Sequence, residues 1–182
     1  MPTTLTPGPV EAVRAELSKA NQAFNRLHPG ESGRRQPVHT VYGGAHLFKA
    51  DTAPKMGILA LKTLEEHAPD AAALAKALGL KGPAARSART VYSRVIDKLR
   101  REPVEDFRLD FEDGYGNRPD AEEDGHALSS AQEVAKGFAA GTLPAFIGIR
   151  IKPLSDELWV RSLRTLDLFV AALAKACGGK LP

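Results

Sequence analysis

Apolar and polar residues follow two different periods along the chain. Three short segments alternate with a period of two, which predicts strands at about 38–43, 106–112 and 145–152. Apolar residues at helical spacing predict helices at 9–27, 54–67, 84–101 and 120–139, and a last helix capped by Ser155. An alanine-rich turn is expected after 54–67. Strand and helix thus alternate three times in residues 37–182, after an N-terminal helix and loop in residues 1–36. This order is typical of an α/β fold with a parallel sheet and right-handed crossovers.

Two of the predicted strands carry polar or charged residues at every second position. Their apolar face is formed by Phe107, Leu109, Phe111, Ile147, Ile149 and Ile151. Their opposite face is formed by Arg108, Asp110, Glu112, Gly148, Arg150 and Lys152. Strands covered by helices on both sides are normally apolar throughout. A closed barrel explains the exception, because the charged faces then point inward and the strand ends open at the mouth, where barrel active sites lie.

The pattern predicts that acidic and basic side chains meet at this mouth. Asp110, Glu112 and Asp113 would lie beside Arg150 and Lys152. They would either form an ion-pair network that holds neighbouring strands together, or bind an ion together with an anionic ligand. Spacing favours the two interpretations equally. His39 and His46 flank the glycines of the first strand, so each either faces the mouth or hydrogen-bonds locally.

Composition excludes several classes of protein. With 182 residues, of which 43% are hydrophobic and 26% charged, the chain is suited to one sizeable core. No apolar run approaches the roughly 20 residues that span a bilayer, and the N-terminus lacks the regions of a leader peptide. We therefore expect a cytoplasmic protein without a membrane partner. The single cysteine, Cys177, excludes an internal disulfide framework.

The segment from Lys81 to Arg101 is rich in basic residues. Arg86, Arg94, Lys98 and Arg101 would share one helix face, which could contact nucleic acid or an anionic ligand. A solvated face is the favoured interpretation, because no aromatic residues or nucleic-acid motif accompany the charges. We therefore predict no nucleic-acid partner. Trp159 is predicted to pack as part of the last helix.

Three motifs, "TVYGGA", "RLDFEDGYG" and "IGIRIKP", occur in this order at the ends of the predicted strands. In these motifs the chain resembles the citrate lyase beta-subunit and malyl-CoA lyase family, the aldolase-like branch of the phosphoenolpyruvate/pyruvate barrel superfamily. The residues of these motifs most resemble those of a bacterial branch sometimes labelled phosphoenolpyruvate kinase. The resemblance covers residues 37–182. It implies the first three β/α units of a TIM (β/α)8 barrel, preceded by and interleaved with extra helices.

The resemblance also implies a reaction. Proteins of this family make or break a carbon–carbon bond in a small oxo-acid or an acyl-CoA thioester, through an enolate stabilised by magnesium. Arg150 would be the catalytic arginine that clamps the substrate, and Lys152, Gly43 and Gly44 would contribute to substrate binding. Lys152 stands where the family often has asparagine. Glu112 and Asp113 would serve the magnesium ion through water or hydrogen bonds, supported by Asp110.

The length of the chain limits this expectation. A full barrel takes about 250 residues, and the family's direct magnesium ligands come from the fifth and sixth strands. We therefore expect an incomplete barrel: the N-terminal portion of a lyase, inactive alone, whose partner is a complementing C-terminal half or another copy of the chain. The alternative is a small non-catalytic α/β module that binds an anion or a partner chain through its basic helix.

Overall fold

The computed structural model describes residues 7–182, and the chain divides into two compact units, Met1–Gln36 and Pro37–Pro182. The first unit contains helix α1 (Pro7–Leu27), which confirms the predicted helix there. None of the side chains of α1 is buried. Its apolar residues lie at helical spacing and are exposed, among them Val10, Val13, Leu17 and Phe24. Residues 28–36 form an exposed loop.

The second unit contains three strands, each five residues long: β1 (Thr40–Gly44), β2 (Asp106–Asp110) and β3 (Phe146–Arg150). Its helices are α2 (Thr52–His67), α3 (Ala71–Ala77), α4 (Pro83–Arg86), α5 (Ala88–Arg101), α6 (Asp120–Ala140) and α7 (Trp159–Ala176). A short 3₁₀ helix, Ala45–Leu47, follows β1. Four helices therefore separate the first strand from the second, as the prediction of extra interleaved helices requires.

Three predicted element boundaries are wrong. The alanine-rich segment expected as a turn forms α3, because the Asp70 side chain caps it by accepting a hydrogen bond from the Ala73 amide at 2.8 Å. The helix expected at 84–101 is interrupted at Ser87. Ser155 does not cap the last helix, because its carbonyl accepts from the amides of Leu158 and Trp159 in a turn that precedes α7.

The three strands form one parallel sheet in the order β1-β2-β3. Their register places Gly44 beside Asp110, and Asp110 beside Arg150, in a single row at the carboxyl edge. The Phe111 amide continues the ladder beyond β2 by donating to the Arg150 carbonyl at 2.9 Å. The α/β class and the parallel sheet are confirmed for the part of the chain described, and the closed barrel stays a prediction.

One face of the sheet carries the core. Phe107, Leu109 and Phe111 are buried there, as their alternation predicts, and each stabilises the fold by about 1.5–3 kcal/mol. The helices contribute Ala127, Ala131, Val134, Phe169 and Leu173. Helical spacing in α6 predicts burial of Leu128, Ala131, Val134, Ala135 and Phe138. Ala131 and Val134 are buried and Ala135 is partly buried, as predicted, but Leu128 and Phe138 are exposed. The buried face of α6 carries mainly small residues, which let the helix lie close to its neighbours; its buried residues are Ala127, Ser130, Ala131 and Gly137, together with Val134 and Glu123.

The other face of the sheet is polar. It carries Thr40 and Tyr42 from β1 and Asp106 and Arg108 from β2. The Thr40 hydroxyl donates to Asp106 at 3.0 Å, and Arg108 pairs with the same carboxylate at 2.9 Å.

Trp159, the first residue of α7, is half-exposed, so its predicted packing role is wrong. Among the helices within residues 7–182, none is long and apolar enough to cross a membrane.

Candidate functional site

Asp110, the last residue of β2, is the fixed point of the carboxyl edge. Its side chain is buried and accepts hydrogen bonds from the amides of Glu112 at 2.8 Å and Gly114 at 3.0 Å. The loop that follows β2 is thus wound around this carboxylate. Backbone amides satisfy an ionised carboxylate well, because such charge-assisted hydrogen bonds are stronger than neutral ones. Asp110 therefore positions the acidic residues that follow it.

Arg150 ends β3 and meets the acidic loop from the neighbouring strand. Its guanidinium pairs with Asp110 at 3.5 Å, with Asp113 at 2.9 Å and, at closest range, with Glu112. The Arg150 side chain is 36% exposed, and its guanidinium carbon lies 5.5 Å from the centre of the Tyr42 ring. Hydrogen bonding to Asp113, followed by the charges of the neighbouring carboxylates, raises the pKa of Arg150. We call Asp110, Glu112, Asp113 and Arg150 the arginine cluster.

The two glycines of β1 have different surroundings. A Cβ atom on Gly44 would lie 2.5 Å from the Gly114 carbonyl oxygen, so the loop after β2 packs directly on Gly44 beside the arginine cluster. A Cβ atom on Gly43 would instead lie 2.6 Å from the Phe107 ring. Gly43 therefore faces the core, and of the two predicted substrate-binding glycines only Gly44 lies at the carboxyl edge of the polar face. Gly116 has a φ of 79°, a conformation that glycine adopts without strain and that lets the loop turn tightly.

Lys152, a predicted substrate-binding residue, contacts other groups. Its ammonium donates to the Phe111 carbonyl at 3.0 Å and forms a close ion pair with Glu123 of α6. The lysine side chain is 11% exposed and that of Glu123 is 1% exposed. Glu123 is also contacted by Thr165 at 2.6 Å and Arg161 at 3.3 Å. The structure thus places Lys152 in a buried network that joins the loop to α6 and α7, and it does not bring Lys152 together with the arginine cluster.

A group of aromatic and imidazole rings lies next to the same loop. The Tyr115 hydroxyl and His126 Nδ1 share a hydrogen bond of 2.6 Å, and the His46 ring packs edge-on against Tyr115 with 5.5 Å between ring centres. Burial, followed by the charge of Glu123, raises the pKa of Tyr115 to about 12. His39, by contrast, accepts a hydrogen bond from the Glu105 amide at 3.4 Å, which matches the local alternative.

His46 is the unusual member of this group. Its Nδ1 atom is buried and has no hydrogen-bond partner within the described residues. Burial is the largest cause that lowers the pKa of His46, and the charges of Arg118 and His126 lower it further. The sequence indicated His46 but missed Tyr115 and His126. Their pairing depends on how the loop packs on α6, and only the short "GYG" motif marks the position of the tyrosine.

The carboxylates of the arginine cluster are not arranged as magnesium ligands. Across residues 7–182, no group of three His, Cys, Asp or Glu side chains is arranged to hold a metal ion. Asp110 is occupied by backbone amides, and Glu112 and Asp113 are held by Arg150. The residues described here therefore do not form a magnesium site by themselves.

The basic segment does not form one continuous face. Arg86 belongs to α4, which is separated from α5 at Ser87, so the predicted alignment of four basic residues is wrong. Lys98 is paired with Glu102 at 2.6 Å and with Glu105 at 2.5 Å. An open groove of about 910 Å³ nevertheless runs along α5, lined by Val91, Val95, Leu99, Arg94 and Arg101 together with their neighbours.

Fold and site define a class: an α/β protein whose parallel sheet carries an arginine and carboxylate cluster at its carboxyl edge. A family model described as a domain of unknown function, DUF6986, matches residues 17–182, and the chain belongs to this family. Neither the curated proteins nor the solved structures include a match to the chain. The family description names no activity, so a functional proposal depends on the geometry of the site and on the sequence motifs.

Proposed function

We propose that this chain supplies the carboxylate-binding part of a carbon–carbon lyase or aldolase built on a (β/α)8 barrel. Its substrate would be a small oxo-acid or an acyl-CoA thioester that reacts through an enolate. The observation that carries the proposal is the position of Arg150. This partly exposed guanidinium lies at the carboxyl end of a parallel strand, in register with Asp110, which is where barrel enzymes bind their substrates.

Arg150 has the properties that such a reaction needs. A guanidinium presents several N–H donors in one plane and so matches the two oxygens of a carboxylate or an enolate. An arginine stays charged at any physiological pH, and contact with Glu112 and Asp110 fixes the direction of the guanidinium before a ligand arrives. A donor that is oriented in advance stabilises negative charge that develops in the transition state more strongly than mobile water does.

Magnesium is part of the proposal but not of the steps assigned to this chain. The arginine cluster carries one formal positive charge and three formal negative charges, an excess that a nearby cation would reduce. Glu112 and Asp113 are the residues that would contact the hydration shell of such an ion. Direct ligands would have to come from other groups, because the described carboxylates do not converge on one point.

The proposal is tested by titrating the 182-residue chain with pyruvate in a calorimeter. We expect Arg150→Ala to weaken binding at least about tenfold and Arg150→Lys to weaken it less, because lysine keeps the charge but loses the planar donors. Arg94→Ala, which removes an exposed arginine from α5, is the matched control and should bind like the unmodified chain. Equal affinities for Arg150→Ala and Arg94→Ala would refute the proposal at its central residue.

Turnover gives the second test. The chain is assayed with magnesium against oxo-acids and acyl-CoA thioesters, both alone and as the product of any reading frame that continues past the Pro182 codon. For whichever substrate is cleaved, we expect Arg150→Ala to lower kcat about 10²- to 10³-fold, as removal of one oxyanion donor does in other enzymes. Binding of pyruvate without cleavage of any substrate would favour a non-catalytic anion-binding module.

A second candidate function is docking of a partner chain in the groove along α5. The groove combines apolar residues with Arg94 and Arg101, which suits a partner helix with apolar and acidic residues. A polyglutamate peptide serves as the charge probe. We expect its affinity to fall steeply between about 50 and about 300 mM salt. Binding that Arg94→Glu leaves unchanged would contradict this candidate.

A further inference from the structure

The three carboxylates around Arg150 are not held equally firmly. Asp110 is buried and accepts two backbone hydrogen bonds. The Glu112 side chain is 26% exposed, and it makes the closest contact with the guanidinium. The Asp113 side chain is 76% exposed and reaches Arg150 Nη2 at 2.9 Å from the solvent side. Asp113 is therefore the partner that can leave Arg150 with the least rearrangement.

We propose that Asp113 is an internal substitute for the ligand. In the free protein its carboxylate occupies the position on Arg150 that a small carboxylate ligand takes, and the ligand displaces it. This inference rests on the proposed function, because it names the residue that sets ligand class and affinity at the same arginine. It also gives a reason for a carboxylate ligand: the group that the structure places on the exposed side of Arg150 is itself a carboxylate.

Displacement of Asp113 is physically inexpensive. An exposed ion pair contributes little, because water and salt screen it and two flexible side chains must be ordered to form it. A bound carboxylate would also repel Asp113 at this short range, so both cannot occupy the same side of the guanidinium. Asp110 and Glu112 stay in place, because backbone amides hold the first and the second lies deeper beside the arginine.

The retained carboxylates restrict the ligand. After displacement, Arg150 still faces the negative charges of Asp110 and Glu112, so a ligand with one negative charge is repelled less than a ligand with two. We therefore expect a monocarboxylate such as pyruvate to bind better than inorganic phosphate near neutral pH. Asp113 lowers the affinity for every ligand, since each must compete with it, and Asp110 and Glu112 then select the ligand by its charge.

The experiment compares two variants that each remove one negative charge from the full chain. Asp113→Asn removes the internal competitor, whereas Asp120→Asn neutralises an exposed acid at the start of α6, where it lies 3.7 Å from Arg161. Pyruvate and phosphate are titrated into both variants and into the unmodified chain. We expect pyruvate to bind Asp113→Asn about two- to fivefold tighter than the unmodified chain, as expected for loss of an exposed ion pair, with little change for Asp120→Asn.

The outcomes separate this inference from the proposed function. If Arg150→Ala abolishes pyruvate binding but Asp113→Asn does not tighten it, the inference fails and the function proposed for Arg150 stands. If Arg150→Ala binds pyruvate normally, both fail. Equal tightening by Asp113→Asn and Asp120→Asn, or tighter binding of phosphate than of pyruvate, also overturns the inference. If the unmodified chain does not bind pyruvate detectably, binding by Asp113→Asn supports the inference, and absence of binding by that variant refutes it.

Discussion

Asp110 and Arg150 are register partners at the carboxyl ends of β2 and β3, with 3.5 Å between Asp110 Oδ2 and Arg150 Nη1. Asp110 has a second role, since its carboxylate also accepts hydrogen bonds from the amides of Glu112 and Gly114. One buried carboxylate therefore fixes both the arginine and the loop that carries the other two acids. The geometry of the arginine cluster depends on this residue more than on any exposed charge near it.

Replacement of Asp110 by asparagine tests this dependence. The two loop amides donate to different oxygens of Asp110. An asparagine side chain has only one acceptor oxygen, so its NH2 group would face one of these backbone N–H groups, and two donors cannot form a hydrogen bond with each other. We expect Asp110→Asn to lower the free energy of unfolding by about 1–3 kcal/mol, the cost of leaving a buried group unpaired. Urea unfolding measures this change. Asp97→Asn, at an exposed position in α5, is the control and should change stability by less than about 0.5 kcal/mol. Similar values for both variants would contradict the role of Asp110.

The alternation of side chains along β2 and β3 made two features predictable from the sequence: the face of the sheet that is buried in the core, and the contact between acidic and basic side chains at the strand ends. Side chains alternate across a strand, so the burial of Phe107, Leu109 and Phe111 could be inferred from period two, and the proximity of Asp110 to Arg150 followed from parallel pairing. That inference ends where the strand ends. The same alternation applied to Lys152 gave the wrong neighbours, because β3 stops at Arg150 and residues 151–154 lie outside the sheet.

Contacts between distant elements were beyond reach of the sequence pattern. The hydrogen bond between Tyr115 and His126 joins a loop to a helix, and no local periodicity relates the two residues. The buried face of α6 was predicted only in part: Ala131 and Val134 are buried as expected, whereas Leu128 is exposed. Close packing against neighbouring elements selects the face that carries mainly small residues, and the sequence pattern alone does not show those neighbours.

The buried pair of Lys152 and Glu123 should be strongly coupled. Loss of one member of a buried ion pair costs about 3–5 kcal/mol when the other charge is left uncompensated. Glu123 keeps Arg161 at 3.3 Å, so we expect Lys152→Met to cost somewhat less, about 2–3 kcal/mol. Lys62→Met, which removes an exposed pair with Glu66, should cost less than about 1 kcal/mol.

Urea unfolding of a double-mutant cycle checks this coupling. The double variant Lys152→Met with Glu123→Leu should be destabilised by less than the sum of the two single changes. Each single variant leaves one charge of the pair buried without the other, whereas the double variant removes both charges. Additive effects would mean that Lys152 and Glu123 do not stabilise one another, despite their close contact.

Replacing either of two glycines by alanine should change the stability of the chain in opposite directions, because the loop after β2 packs closely on Gly44 and nothing packs closely on Gly125. The Cβ of Gly44→Ala would lie 2.5 Å from the Gly114 carbonyl oxygen and 2.6 Å from His46 Cε1, so the loop must shift, at a cost of about 1–3 kcal/mol. Gly125→Ala in α6 meets no atom within 4 Å and should instead stabilise the chain by about 0.5–1 kcal/mol. Thermal unfolding measures both. A stable Gly44→Ala variant would show that the loop is not packed on β1.

His46 should make stability depend on pH in the weakly acidic range. Burial holds the pKa of the folded-state imidazole below its ordinary value of 6.5, so the unfolded chain takes up a proton at a pH where the folded chain does not. The stabilising contribution is therefore complete above about pH 6.5 and is lost as the pH falls toward the folded-state pKa. The groups that face the ring are Tyr115, His126, Arg118 and Glu122.

Urea unfolding at about pH 7.5 and about pH 5.5 isolates this contribution, because other titrating groups act equally in closely matched variants. We expect the unmodified chain to lose more unfolding free energy between the two values than His46→Gln does, since glutamine cannot take up the proton. His67→Gln, at an exposed position at the end of α2, should keep the pH dependence of the unmodified chain. If His46→Gln and His67→Gln lose equal stability on acidification, burial of His46 does not control its protonation.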